Sequence, residues 1–390
     1  MKKKRLVFVI PNLCHGGTNR VLENILSIIN RDKYDISVLS LKSSLNDPYY
    51  AVFSNLVQLV LLEDIVSSII YNLAYNRIAA KFHGIMRRWF KNSAILSAIF
   101  DKIQKSIEGQ LSPDVVIAFE EGLPTMLVSK FSCYKIAWVH CDYKYYIQLI
   151  HPLLKIEHRN YEVYDKIVCV SKYTSGSFVD VFRDFHGKVS CIYNPINLER
   201  ILSLSKQKIN DDLFKNDIFT IVSVGRFADV KRFDRIPDII KSLLLISNEL
   251  QFRWYVIGDG NNKLMNETRV KIHDYRIEDK LILLGSRDNP YPYMKASDLY
   301  VCTSYSEAYP CVINEAKVLG TLVVSSDFPS VHEILDERTG IISSFNDIPR
   351  VLFRLLSTNK RLVEDNNGVL KSKKERSEVI SKIEFLFDKL

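Results

Sequence analysis

The sequence predicts an α/β protein made of two doubly wound parallel-sheet units. Three observations predict it. Short apolar runs alternate with helical patterns, the signature of buried parallel strands covered by helices. The runs fall into two series separated by a polar stretch. The chain has 390 residues, long for one domain and comfortable for two.

The first series is "LVFVI" at 6–10, "ISVLSL" at 36–41, a run near 57–62, "DVVIAF" at 114–119, "KIAWVH" at 135–140 and "KIVCVS" at 166–171. A helical pattern at 18–30 follows the first run. The second series is "IFTIVSVG" at 218–225, "FRWYVIG" at 252–258, "LILLG" at 281–285, "DLYVCTS" at 298–304 and "TLVVSS" at 321–326. Between the series, residues 192–217 turn polar and contain the turn pair Asn194-Pro195. The expected division is therefore 1–195 for the first domain and 196–370 for the second. Residues 371–390 carry Val379, Ile380, Ile383, Phe385 and Leu386 at roughly helical spacing, an amphipathic helix that could pack back on the first domain.

Composition is that of a globular protein, 47% hydrophobic and 25% charged. The net charge of +8 suits anionic partners such as phosphorylated small molecules or anionic lipid. No helix-turn-helix, zinc-finger or RNA-binding pattern is present, so nucleic acid is not an expected partner. The seven cysteines are scattered without a CxxC pair and read as reduced core residues of a cytoplasmic protein. The apolar run after "MKKKR" is five residues long, too short for a signal-peptide core. Glu63 and Asp64 interrupt the most apolar stretch, 56–70, so no membrane span is expected.

Six strand-end stretches could carry chemistry. In "PNLCHGGTNRVLENIL" (11–26) a strand runs into Gly16-Gly17 and then a helix; glycines at a helix mouth let backbone approach an anion. A plain strand-to-helix turn reads the same way, and the pattern is not GxGxxG. In "VSVGRFADVKRFDRI" (222–236) a strand delivers Gly225 and Arg226 to its carboxyl edge, with Lys231 and Arg232 near the next helix start. A guanidinium and an ammonium there suit a diphosphate, or simply form a solvated basic face. In "SYSEAYPCVINEA" (304–316) Glu307 precedes a helix expected to begin near Pro310, and Glu315 lies inside it. The mouth between the two carboxylates, where helix N–H groups attract phosphates, lies near Tyr309, Pro310, Cys311 and Val312. That arrangement could hold the two ends of a sugar–diphosphate–nucleoside; a capping Glu307 and a surface Glu315 would be the bland alternative. "YVIGDGNNKL" (255–264) and "LLGSRDNPYPYMKASDLYV" (283–301) offer glycine-containing loops for a base. His140 ends the strand in "IAWVHCDYKYY" (136–146), either a core histidine or a group beside substrate.

Taken together, these pieces resemble the retaining glycosyltransferases of family 4, with the GT-B fold of two Rossmann-like domains facing a cleft. The resemblance spans roughly 6–345. Its most specific parts are Gly225, Arg226 and Lys231, and the two glutamates of "SEAYPCVINEAKVLG" with seven residues between them. The early Gly-Gly, "VSKYTSG" (170–176), "YNPI" (193–196) and "VIGDG" (256–260) add to it. One departure is "GGTNR", where the family often has an acid at the place of Asn19.

The resemblance implies a nucleotide-sugar donor on the second domain and a saccharide acceptor on the first. Arg226 and Lys231 would hold the donor diphosphate, Glu315 the ribose hydroxyls and Glu307 the transferred sugar. Gly16 and Gly17 would approach the phosphates and His140 would sit near the reacting bond. The catalytic set is then His140, Arg226, Lys231 and Glu307. The binding set is Gly16, Gly17, Gly225, Arg226, Lys231, Tyr309 to Val312 and Glu315. No D-x-D occurs, so no metal and no other cofactor is expected. The donor expected from family habit is a UDP-hexose or UDP-N-acetylhexosamine, with GDP-mannose next. A nucleotide-sugar epimerase on the same fold and a non-catalytic nucleotide-sugar-binding scaffold are the rival readings.

The stretch "NRIAAKFHGIMRRWFKN" (76–92) combines helically spaced Ile78, Phe82, Ile85 and Trp89 with Arg77, Lys81, Arg87, Arg88 and Lys91. It could dock on an anionic membrane surface, which would make the acceptor lipid-linked and the protein peripheral at the inner face of the membrane. A helix packed on the sheet with a solvated basic face is the alternative.

Overall fold

The computed structural model describes residues 2–42, 46–62, 93–150, 154–215, 217–358 and 367–388. The basic aromatic stretch 76–92 lies outside them. The chain divides into two compact units, one formed by Met1–Tyr193 with Ile380–Leu390 and the other by Asn194–Val379.

In the first unit the strands are β1 Lys4–Asn12, β2 Tyr34–Lys42, β3 Gln58–Leu61, β4 Val115–Ala118, β5 Tyr134–Val139, β6 Lys166–Cys169 and β7 Val189–Cys191. They form one parallel sheet in the order β3-β2-β1-β4-β5-β6-β7. The helices are α1 Gly17–Ile28, α2 Tyr50–Leu56, α3 Ser93–Leu111, α4 Leu123–Val128, α5 Tyr143–Ile150, α6 Leu154–Glu162 and α7 Lys172–Val181. β4 is buried along its whole length, and β1 and β5 are buried along their apolar runs with partly exposed residues only at their ends. Phe8, Phe119, Trp138, Tyr143, Tyr161 and Phe178 are among its largest buried side chains.

In the second unit α8 Leu198–Leu204 precedes β8 Phe219–Val224, α9 Ile236–Ile246, β9 Phe252–Ile257, α10 Asn262–Tyr275, β10 Leu281–Gly285 and α11 Tyr291–Ala296. Then come β11 Leu299–Cys302, α12 Cys311–Val318, β12 Leu322–Ser326, β13 Gly340–Ser343 and α13 Ile348–Thr358. This sheet is also parallel, in the order β10-β9-β8-β11-β12-β13. The last helix, α14 Asn367–Asp388, begins before the expected 371. Its end belongs to the first unit, where Phe387 packs edge-on against Phe8 and Tyr34 and Lys4 Nζ donates to the Phe387 carbonyl at 2.7 Å.

Both sheets are doubly wound, so each has a point where strand order reverses: between β1 and β4 in the first, between β8 and β11 in the second. In such sheets ligands bind beyond the carboxyl ends of the strands flanking that point. The motif-bearing loops follow these strands.

Three expectations need correction. β7 and β13 are edge strands that the sequence reading lacked; both are short and only partly buried along most of their length. The cysteines are free, but only Cys169 and Cys302 are buried and Cys14 is exposed, so they are not a uniform core set. Lys231 does not stand at a helix start: it ends the short 3₁₀ turn Asp229–Lys231, and α9 begins only at Ile236.

Candidate functional site

In the second unit, backbone-to-backbone contact fixes the loop after β8. Gly225 N donates to the Ile257 carbonyl at 3.0 Å and Phe227 N to the Asp259 carbonyl at 2.9 Å. At Gly258, with φ 148°, a Cβ would lie 1.8 Å from the Gly225 carbonyl oxygen. Only glycine fits there, and the fit holds Gly225 and the exposed Arg226 at the strand edge. Gly225 itself has φ 157° and a Cβ there would meet Phe233 at 3.4 Å.

Lys231 Nζ lies 2.5 Å from Glu307 Oε1, both side chains being largely buried. Ser304 Oγ donates to the same oxygen at 2.7 Å, and Ser330 Oγ donates to the Glu307 carbonyl at 2.6 Å. Burial pulls the Lys231 pKa down, but the Glu307 carboxylate outweighs it and the net shift is upward; the nearby Arg226 charge opposes it. The ammonium is therefore charged at any working pH. Lys231 is further anchored through its carbonyl, which accepts from Thr303 Oγ1 at 2.6 Å.

Pro310 is the N-cap of α12, with φ −71° and no side-chain cap bond, so Glu307 does not cap the helix. Pro310 also has no N–H, which corrects its place among the expected donors: the mouth offers Cys311 and Val312 instead. Glu315 is 5% exposed, not a surface residue, and Tyr291 OH donates to its Oε1 at 3.1 Å. Burial pushes the Cys311 thiol up to about 12, with Glu315 adding to the shift and Lys231 opposing it. Asn194 Nδ2 reaches the Tyr309 carbonyl at 3.4 Å, placing the "YNPI" segment at the same helix mouth.

So the structure gathers Arg226, Lys231, Glu307, Cys311, Val312 and Glu315 around the switch point between β8 and β11. The arrangement offers two cations, the peptide N–H groups of a helix start and two carboxylates, a set suited to a diphosphate flanked by hydroxyl-bearing groups.

In the first unit, Gly16 caps α1 in extended backbone, φ 179°, and a Cβ at Gly16 or Gly17 would meet nothing within 4 Å. Packing does not demand glycine there. Asn19, the departure from the family pattern, is 5% exposed and its Nδ2 donates to the Asn12 and Cys14 carbonyls at 3.0 and 2.8 Å. A carboxylate could make neither bond.

His140 follows β5, half-buried, its ring 4.8 Å from that of Phe119. Its Nε2 is buried without a hydrogen-bond partner. Burial lowers its pKa to about 3, so the imidazole is neutral. Sequence reading missed Glu121, whose Oε1 accepts from the backbone N–H groups of His140 at 2.5 Å and Cys141 at 2.9 Å. The signal was there: "FEEG" places carboxylates at the end of β4, on the ligand edge. Thr303, Ser304 and Tyr291 were also missed, because hydroxyl residues have no distinctive spacing.

Residues 218–358 match the family model described as "Glycosyl transferases group 1". The chain is 24% identical over 317 residues to "Amylovoran biosynthesis glycosyltransferase AmsD" of Erwinia amylovora, covering 80% of this chain and 78% of that protein. It is 27% identical over 236 residues to "N-acetylgalactosamine-N,N'-diacetylbacillosaminyl-diphospho-undecaprenol 4-alpha-N-acetylgalactosaminyltransferase" of Campylobacter jejuni, covering 58% of this chain and 60% of that one. Among solved structures, Anabaena Alr3699/HepE in complex with UDP and glucose superposes with a TM-score of 0.77 at 14% identity, covering 99% of this chain and 100% of that chain. At that identity the likeness speaks for the fold alone, which is GT-B.

Proposed function

We propose, from the premise that the chain is a glycosyltransferase of the GT-B fold, that it transfers a hexose or N-acetylhexosamine from a UDP-sugar to a saccharide acceptor. The acceptor is one carried on a lipid diphosphate, in cell-surface polysaccharide assembly. The observation that carries the reading is the joint position of Arg226, Lys231, Glu307 and Glu315 at one sheet switch point, around the mouth of α12. The name of the Campylobacter relative, which gives a saccharide carried on diphospho-undecaprenol, supports the acceptor class, and that of the Erwinia relative supports a biosynthetic glycosyltransferase.

In this reading Arg226, Lys231 and the N–H groups of Cys311 and Val312 stabilise the negative charge that builds on the departing diphosphate. Glu315, held by Tyr291, takes the ribose hydroxyls. Glu307 shares one oxygen with Lys231 and Ser304 and offers the other to the sugar. The anomeric carbon–oxygen bond to phosphate breaks as the acceptor oxygen bonds to the same face, so configuration is retained. The leaving phosphate oxygen takes the acceptor's proton, and no carboxylate base or metal ion is assigned. His140, neutral and with Nε2 unpartnered, acts as a hydrogen-bonding group near the sugar. Gly16 and Gly17 leave room for phosphate. Peripheral contact with an anionic membrane through 76–92 belongs to the same proposal.

A thermal-shift panel of nucleotides and nucleotide sugars tests it. UDP and one UDP-sugar should stabilise the protein, and Arg226→Ala should abolish the shift. Stabilisation by GDP-mannose alone would move the donor to GDP-mannose. Conversion of a UDP-sugar without acceptor would make the protein an epimerase, and binding without any turnover would leave a scaffold.

A further inference from the structure

Arg232 follows Lys231 directly and has a left-handed backbone, φ 52° and ψ 33°. It is one of three non-glycine residues with positive φ among the described residues. That conformation is unfavourable for an arginine unless the surroundings hold it.

They do. Its guanidinium carbon is 4.9 Å from the ring centroid of Tyr305 and 4.8 Å from that of Phe345, so two aromatic rings share one cation. Tyr305 lies in the loop that carries Glu307, and Phe345 in the 3₁₀ turn Phe345–Asp347 before α13. Tyr305 N donates to the Val230 carbonyl at 3.0 Å and Thr303 Oγ1 to the Lys231 carbonyl at 2.6 Å. Residues 230–232 are therefore bound to 303–305 on both sides of the Lys231 ammonium. Arg232 is engaged by aromatic rings instead of adding to the basic edge formed by its neighbours.

We propose that Arg232 is a positioning residue: its guanidinium, gripped by Tyr305 and Phe345, fixes the left-handed turn that sets Lys231 against Glu307. The inference rests on reading this site as a phosphate seat. It predicts that the side chain, and not only the backbone conformation, tunes ligand affinity.

Two measurements on full-length protein test it, with Arg232→Gly and Arg232→Lys. Glycine keeps the left-handed turn without strain but lacks the cation; lysine restores a cation. In ligand-free protein, hydrogen exchange in 228–234 and 303–307 should quicken in Arg232→Gly and return toward wild type in Arg232→Lys, with the thermal midpoint near wild type. With UDP as probe, calorimetry should show binding about tenfold weaker in Arg232→Gly, because binding must then order the loosened turn that carries Lys231, and largely rescued in Arg232→Lys. Unchanged exchange in Arg232→Gly, or a lysine variant no better than glycine in both measurements, overturns the proposal. If wild type fails to bind UDP, the functional reading falls, and the exchange data alone decide whether Arg232 positions Lys231.

Discussion

The Lys231 ammonium and the Glu307 carboxylate form a largely buried ion pair, 2.5 Å apart, that ties the loop after β8 to the loop after β11. Sequence reading gave the two residues separate duties, phosphate and sugar. The pair means that neither is free to act alone. Lys231→Met leaves Glu307 with one serine hydroxyl and an uncompensated charge, and should cost about 2 kcal/mol of stability. Transfer, or UDP affinity where no acceptor is in hand, should fall by roughly two orders of magnitude. Glu307→Gln should lose less stability, and the double variant should lose less than the sum, measurable as a double-mutant cycle. Because the Lys231 pKa is raised, the lysine's contribution persists through neutral pH and fades in alkali, as pH climbs past the ordinary lysine value.

Gly258→Ala should be the most damaging conservative change in the second unit. Its Cβ would meet the Gly225 carbonyl oxygen at 1.8 Å, and the left-sided φ adds strain. A loss of about 4 kcal/mol or failure to fold is expected. Gly16→Ala is the control: its Cβ meets nothing within 4 Å, so the thermal midpoint should hold.

Asn19→Asp puts an acid where the family that the sequence resembles often has glutamate, and should nevertheless destabilise this chain. It removes both donors to the Asn12 and Cys14 carbonyls and buries a charge beside them. Denaturant melts should show a loss of about 1–3 kcal/mol.

Glu157 gives the first unit a pH-dependent stability. It is 5% exposed, and burial pushes its pKa up to about 7 despite a 2.9 Å bond from Tyr143 OH; Glu121 adds to the rise. Tyr161 OH completes the cluster, 2.6 Å from Tyr143 OH. The folded state holds this proton more tightly than the unfolded one, so stability falls as pH rises from about 4.5 to about 7 and then levels. Glu157→Gln should flatten that slope, which a series of melts across this range would show. His140 acts at the acid end: its lowered pKa makes the unfolded state take up the proton first, so stability drops as pH falls below the ordinary histidine value.

The fold was legible because buried parallel strands must be apolar along their length, and helices between them must be amphipathic. β1, β2, β5, β8 and β12 stand within two residues or so of their apolar runs. β7 and β13 were not legible, since short edge strands carry no such run. Within the site, Arg226, Lys231 and Glu307 could be singled out by residue type and strand-end address, whereas Glu315, inside α12, was singled out by its spacing from Glu307 and by the family resemblance.

The sequence by itself determined two doubly wound units, their charged strand ends and the glycines that tight turns require, because periodicity and backbone freedom are local properties. Only the tertiary structure decided which charges meet. It joined Lys231 to Glu307, set Arg232 between two rings and seated Tyr291 on Glu315. Each of these pairs residues from different segments of the second unit, and how such segments approach one another depends on the register of a whole sheet and the packing of its helices, which no short stretch of sequence contains.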